Sequence, residues 1–267
     1  MSTKIGVAGA AGRMGRMLIE AILQGEFDCT LAAAIENPMS GSSKGDLVGF
    51  FSQSETKGVV TTDLDSVTSR IEVLIDFTLP DVTLRNAATC AKHGIAMVIG
   101  TTGLNNVQLN ELIDLTKSIP VCQAANFSPG MNIAFGLVEK AALALGETVD
   151  IEILEAHHRG KVDAPSGTAI KLGKIVAEAL GRDFDQIMEL KQDLTGGRAQ
   201  STVGVSSIRA GDIVGDHTVI FASEGERLEI THKASSRLAF AYGAIRAACW
   251  LVTQPAGLYD MRNVMQS

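Results

Sequence analysis

The opening residues decide the architecture. Lys4-Ile5-Gly6-Val7-Ala8 is a short apolar strand that breaks directly into Gly9-Ala10-Ala11-Gly12-Arg13-Met14-Gly15, and Met14, Met17, Leu18, Ala21 and Ile22 then recur at helical spacing. The next β-rich run, Thr30 to Ile35, completes a strand–helix–strand unit with parallel strands. Glycines after such a first strand allow a tight turn and let backbone approach a pyrophosphate seated on the helix N-terminus. The spacing is Gly-x-x-Gly-x-x-Gly, with Ala11 where a middle glycine is often found. Glu36 closes the second strand about twenty residues beyond the last glycine, where a carboxylate accepts ribose hydroxyls.

The alternation continues through a strand at Val73 to Thr78, a helix from near Pro80 to near Gly94, a strand at Ile95 to Gly100, a helix over 105–118 and a strand at Pro120 to Ala125. Gly100-Thr101-Thr102-Gly103 and Ala125-Asn126-Phe127-Ser128 follow the last two strands. There they either border the nicotinamide half of a dinucleotide or serve as plain turns. Residues 37–69 are Gly- and Ser-rich and carry no clear pattern.

Past Phe127 the pattern changes. A long apolar helix over 132–145 precedes an alternating strand, Val149-Asp150-Ile151-Glu152-Ile153, and a helical stripe through Ile170, Leu172, Gly173, Val176, Ala177 and Leu180. Val203 to Arg209, Thr218 to Ala222 and Leu228 to Lys233 read as antiparallel strands, and 236–252 returns to a helix. The fold expected is α/β, with a Rossmann-like dinucleotide-binding domain over residues 1–127, rejoined by 238–267. An α+β substrate domain with a mostly antiparallel open sheet takes 128–237.

Between that strand and helix lie His157-His158-Arg159-Gly160-Lys161-Val162-Asp163-Ala164-Pro165-Ser166-Gly167-Thr168. Pro165 and Ser166 are helix-start signals, so the amides of Ser166, Gly167 and Thr168 would head the helix beside the cations. Four mutually repelling or protonatable groups at a helix N-terminus point to an anionic ligand that offsets the repulsion. A small organic dianion fits best. The formal charge of −7 argues against a nucleic-acid partner. No long apolar stretch or cleavage site precedes the first strand, so neither signal peptide nor membrane span is expected and the location expected is cytoplasmic. Cys29, Cys90, Cys122 and Cys249 are scattered with no Cys-x-x-Cys pair, and adjacent His157 and His158 point to opposite faces of an extended segment, so no metal is expected.

Taken together, these motifs resemble the 4-hydroxy-tetrahydrodipicolinate reductase (dihydrodipicolinate reductase) family. The resemblance spans nearly the whole chain and includes Arg209-Ala-Gly-Asp-Ile-Val-Gly215 and the run from Gly225 to Arg237. It implies reduction of a cyclic imine dicarboxylate with loss of water. By resemblance, NADH or NADPH is bound by Gly9, Ala10, Ala11, Gly12, Arg13, Met14, Glu36, Gly100, Thr101, Thr102, Ala125, Asn126, Phe127 and Ser128. His157 is implied as proton donor and acceptor and Lys161 as proton donor, with His158, Ser166, Gly167 and Thr168 on the substrate. A homotetramer is implied as well. Asn37 stands where many members carry an Arg for the 2′-phosphate of NADPH, which leans towards NADH, although Arg13 could reach that phosphate. Gly160 replaces a His of some relatives. From the residues alone, another nicotinamide-dependent imino- or amino-acid dehydrogenase, or a non-catalytic dinucleotide sensor, fits the same architecture.

Overall fold

Along the first part of the chain come β1 (Thr3–Ala8), α1 (Arg13–Leu23), β2 (Cys29–Ile35), β3 (Val59–Thr61), β4 (Val73–Asp76), α2 (Pro80–His93), β5 (Ala96–Ile99), α3 (Asn106–Leu115) and β6 (Pro120–Gln123). Then follow α4 (Pro129–Leu145), β7 (Asp150–His157), α5 (Gly167–Ala179), α6 (Phe184–Ile187), β8 (Met188–Glu189), β9 (Val203–Arg209), β10 (Gly215–Ser223) and β11 (Glu226–Ala234). The chain closes with α7 (Leu238–Leu251), β12 (Gly257–Tyr259) and α8 (Met261–Met265). This is a computed structural model that describes residues 2–36, 58–190, 198 and 201–266. The chain divides into two compact units, Met1–Pro129 with Arg237–Ser267, and Gly130–Ser236.

The first unit holds a seven-stranded sheet in the order β12-β6-β5-β4-β1-β2-β3, parallel throughout. Its central strands are covered on both faces, so Ile5, Val7, Val73, Leu74, Ile75 and Met97 are fully buried and the strands read as continuous apolar runs. From β1 the chain winds outwards one way to β3, then from β4 the other way. The order therefore reverses between β1 and β4, which opens a crevice at their carboxyl ends. The C-terminal segment belongs to this unit: α7 packs on β4, β5 and β6 and against α1. β3 and β12, three residues each, are too short to announce themselves by alternation.

In the second unit five strands run β11-β10-β7-β9-β8. β10 pairs antiparallel with both β11 and β7, but β9 lies parallel to β7, and β8 parallel to β9. The sheet is thus mixed, and β9 is not an antiparallel neighbour of β10 as its sequence suggested. β7 stands between them. Its Ile151 and Ile153 are buried, which suits a central strand, and the helix α5 after it supplies the crossover that a parallel partner requires.

One face of this sheet carries the core in register. Phe221, Ile151 and Val203 form one cross-strand row, and Val219, Ile153 and Val205 the next. They pack with Phe135 and Val138 of α4 and Leu172 and Val176 of α5. Side chains on a strand alternate faces, so the following two rows must point the same way. They are His217, Glu155 and Ser207, then Gly215 beside His157 and Arg209. The apolar face therefore turns polar at the end of β7, where the basic segment begins.

Candidate functional site

At the first crevice, Gly9 adopts a left-handed backbone (φ 67°), a conformation that only glycine adopts without cost. Gly12 precedes α1, and the amides of Arg13, Met14 and Gly15 therefore head the helix with no capping side chain and no acid in its first turn. Glu36 ends β2 beside this turn and accepts a hydrogen bond from the Ala11 amide at 2.6 Å. A cavity of about 570 Å³ opens here, walled by Gly9, Gly12 and Glu36 on one side and by Phe77, Thr78 and Arg85 on the other. These residues fit a dinucleotide.

The sequence-derived cofactor set is not uniform. Ala10 is fully buried beneath the turn, and Phe127 is a core side chain whose ring lies 5.6 Å from that of Phe77. Ser128 is buried, and its amide is held by the Asn126 side chain at 2.8 Å. Thr101 turns its hydroxyl inward, while Thr102 and Ala125 are exposed. Asn37 lies outside the described residues. Sequence reading overlooked Asp76, the fully buried acid that ends β4. Its Oδ1 accepts from the Thr78 amide (2.8 Å) and hydroxyl (2.6 Å) and from the hydroxyls of Thr83 (3.2 Å) and Thr101 (3.3 Å). Asn86 donates to Oδ2 at 2.8 Å. One carboxylate thus ties the ends of β4 and β5 to α2.

In the second unit, Ser166 caps α5, its Oγ accepting from the Ala169 amide at 3.1 Å and lying 3.0 Å from Nε2 of His217. Its hydroxyl is thus engaged at the helix end, and its own amide donates to Glu155 at 3.1 Å. Glu155, 1% exposed, is the hub. It takes both terminal nitrogens of Arg209 (2.8 and 2.7 Å), the Ser166 amide (3.1 Å) and Nδ1 of His157 (2.5 Å). Burial alone would raise its pKa. The hydrogen bonds from Arg209, Ser207 and His157 outweigh burial and hold it to about 2.

Burial pushes the His157 pKa down, and Lys161 and Arg209 add to that while Glu155 opposes it, so the ring is neutral near pH 7. Its neighbour His217, edge-on at 5.2 Å, is driven by burial to about 3. The ammonium of Lys161 lies 2.8 Å from both oxygens of Asp163. The half-buried His158 begins a turn that the Lys161 amide closes on its carbonyl at 3.1 Å.

These shifts make the second unit acid-sensitive. Glu155 and His217 both have folded pKa values below their ordinary ones, so between those limits the unfolded chain binds more protons and stability rises with pH. The His217 contribution is lost first, from about pH 6.5 down to about 3, and the Glu155 contribution follows from about 4.3 down to about 2. Hydrogen exchange of the β7 and β10 amides, corrected for intrinsic rates, is expected to show protection falling across this window. His217→Gln removes the upper part. Flat protection from pH 6.5 to 4 would contradict the assignment.

Residues 3–127 match the family model described as dihydrodipicolinate reductase, N-terminus, and residues 130–265 the one described as dihydrodipicolinate reductase, C-terminus. The chain is 52% identical over 266 residues to 4-hydroxy-tetrahydrodipicolinate reductase of Pseudomonas fluorescens strain SBW25, covering 98% of each. It is also 52% identical over 267 residues to the protein of that name from strain Pf-5, again covering 98% of each. Among solved structures it resembles dipicolinate-bound dihydrodipicolinate reductase from Paenisporosarcina sp. TG-14. The TM-score is 0.75 at 25% identity, over 97% of this chain and 98% of that one.

Proposed function

The chain belongs to the dihydrodipicolinate reductase family, and from that premise we propose how its residues divide the work of reducing 4-hydroxy-tetrahydrodipicolinate. It is an NAD(P)H-dependent oxidoreductase of lysine and diaminopimelate biosynthesis. The reading of the residues rests on one observation: the sheet face that is apolar through Ile153 ends in Glu155 and His157 beside the capped start of α5.

Gly9, Gly12, the amides of Arg13 to Gly15 and Glu36 hold the adenosine and pyrophosphate, and the Gly100 to Thr102 and Ala125 to Ser128 segments border the nicotinamide. When bound, the nicotinamide supplies the hydride. In the second unit, the amides of Gly167 and Thr168, with His158, take the substrate carboxylates, which are charged before and after reaction. Their contribution falls on binding. Lys161 and His157 act where charge changes. Loss of water leaves a conjugated C=C–C=N system, and its reduction drives negative charge towards the ring nitrogen. A cation and a proton donor placed there stabilise the transition state more than the ground state. Asp163, with both carboxylate oxygens 2.8 Å from the Lys161 ammonium, holds that side chain in place until substrate arrives.

The test is loss of NADH or NADPH absorbance with the condensation product of pyruvate and aspartate semialdehyde, generated in situ by the upstream synthase. We expect oxidation that dipicolinate inhibits. We also place the protein in the cytoplasm as a homotetramer, so sedimentation of the same sample is expected to give a fourfold chain mass. Tight NADH binding without oxidation overturns the catalytic reading, and a monomer mass the assembly.

A further inference from the structure

A carboxylate that is 1% exposed and in contact with an imidazole, a guanidinium and a helix-capping amide at once has a task that none of these contacts explains singly. Arg209 meets Glu155 through two nitrogens, one on each oxygen, at 2.8 and 2.7 Å. It is further fixed by donating to the carbonyls of Ile208 and Asp163. Besides Arg209, Ser207 and the Ser166 amide, Glu155 meets His157, two residues along on the same face, with Nδ1 at 2.5 Å from Oε2.

We propose that Glu155 is the positioning residue for His157 and Arg209 its balancing charge. The carboxylate accepts a hydrogen bond from the Nδ1 proton, leaving Nε2 as the nitrogen that takes up a proton and then releases it, while the guanidinium stops the carboxylate from fixing the ring as a cation. The inference rests on the role given to His157 above.

The surroundings bear this out. Glu155 faces the ring from its own strand, Arg209 from β9, Gly215 and neutral His217 from β10, and Lys161 with its partner Asp163 from the following loop. His232, on β11, lies opposite His217 and one strand further away. Glu155 is the single anion in direct contact with the ring among the described residues. A bare buried carboxylate at that distance would hold the imidazole protonated, and a carboxylate already forked by Arg209 does so far less. Nε2 is aimed over β10, where a Cβ at Gly215 would stand 3.1 Å away. Glycine there leaves the ring its room.

The test begins on the wild-type protein with nitrogen-15 histidine NMR, the His157 signal assigned by its loss in His157→Asn. The neutral ring is expected to be protonated at Nδ1. The Nε2–H tautomer overturns the proposal, whether or not the protein turns over substrate. The second measurement is the His157 titration, by NMR and by the pH profile of kcat/KM. Glu155→Gln leaves Arg209 beside the ring and is expected to move it to lower pH. Arg209→Gln leaves Glu155 unbalanced and is expected to move it to higher pH, by about one unit or more in each case. A merely structural pair gives lower activity with an unmoved titration, and that result also overturns the proposal. Should either single variant fail to fold, the double Glu155→Gln/Arg209→Gln, which leaves no lone buried charge, is expected to retain the Nδ1–H tautomer. Absence of turnover with the Nδ1–H tautomer present would count against the enzyme reading and not against this one.

Discussion

Lys161→Met is expected to lower kcat by about 10²–10⁴-fold while NADH affinity and stability stay close to wild type, because a positioned proton donor contributes about that factor. The stability part follows from the surroundings. Lys161 pairs with an Asp163 whose side chain is 59% exposed, and such pairs contribute little to folding, so removing the ammonium leaves Asp163 to water. The catalytic part follows from the direction of charge flow in the reaction, which gives the ammonium more to stabilise in the transition state than before it. Lys161→Arg separates the two duties. A guanidinium keeps the charge and does not release a proton, so KM is expected to recover more than kcat. His157→Asn should resemble Lys161→Met. In contrast, His158→Asn is expected to act mainly on KM, by about 1.5–3 kcal/mol in binding if a charged hydrogen bond to a carboxylate is lost. Steady-state rates over substrate and NADH concentrations decide between these. Full turnover in Lys161→Met, or a defect confined to NADH binding, would remove the lysine from the mechanism.

Why these groups could be read from the sequence, and others could not, is a matter of period and range. The glycine turn after β1, the stripe of α1 and the Ser166 cap are local signals, and each stands where local rules put it. Glu155 and His217 carried a local signal too, one of parity. Counting by twos, Ile151 and Ile153 lead to Glu155, and Phe221 and Val219 lead to His217, so both polar residues had to share the buried face. Arg209 shares that parity, counting by twos from Val203 and Val205, but its partner could not be read, because Glu155 is 54 residues away and the parallel pairing of β9 with β7 comes through a crossover. Asp76 stood out only as an acid closing an apolar run. Its threonine and asparagine donors come from two further segments that meet only in the folded sheet.

Gly15→Ala is expected to abolish NADH binding and to unfold or severely destabilise the first unit, although it adds one methyl group. An alanine Cβ at this position would overlap the carbonyl oxygen of Gly9 and stand 2.7 Å from both the Cα and the oxygen of Ala10. All three are backbone atoms, and they cannot swing aside. The Gly9 carbonyl is bonded to the Gly12 amide at 2.9 Å, and the Ala10 amide to the Ile35 carbonyl at 3.2 Å. Relief must therefore come from α1 lifting off β1. That helix carries Leu18, Ile19, Ala21 and Ile22 into the core, so lifting it opens a gap along its whole buried face. Overpacking in a core that can adjust costs about 1–3 kcal/mol, and this site lacks the means to adjust, so the loss is expected at or above that range. Gly136→Ala is the control. It lies within α4 with nothing inside 4 Å of its added methyl, and gaining helix propensity without a clash should stabilise by up to about 1 kcal/mol. NADH fluorescence titration and thermal melts of the two variants separate the clash from the chemistry of a glycine-to-alanine change. A Gly15→Ala protein that binds NADH and melts like wild type would mean that α1 does not approach the glycine turn as closely as described, and the pyrophosphate site would have to be sought elsewhere.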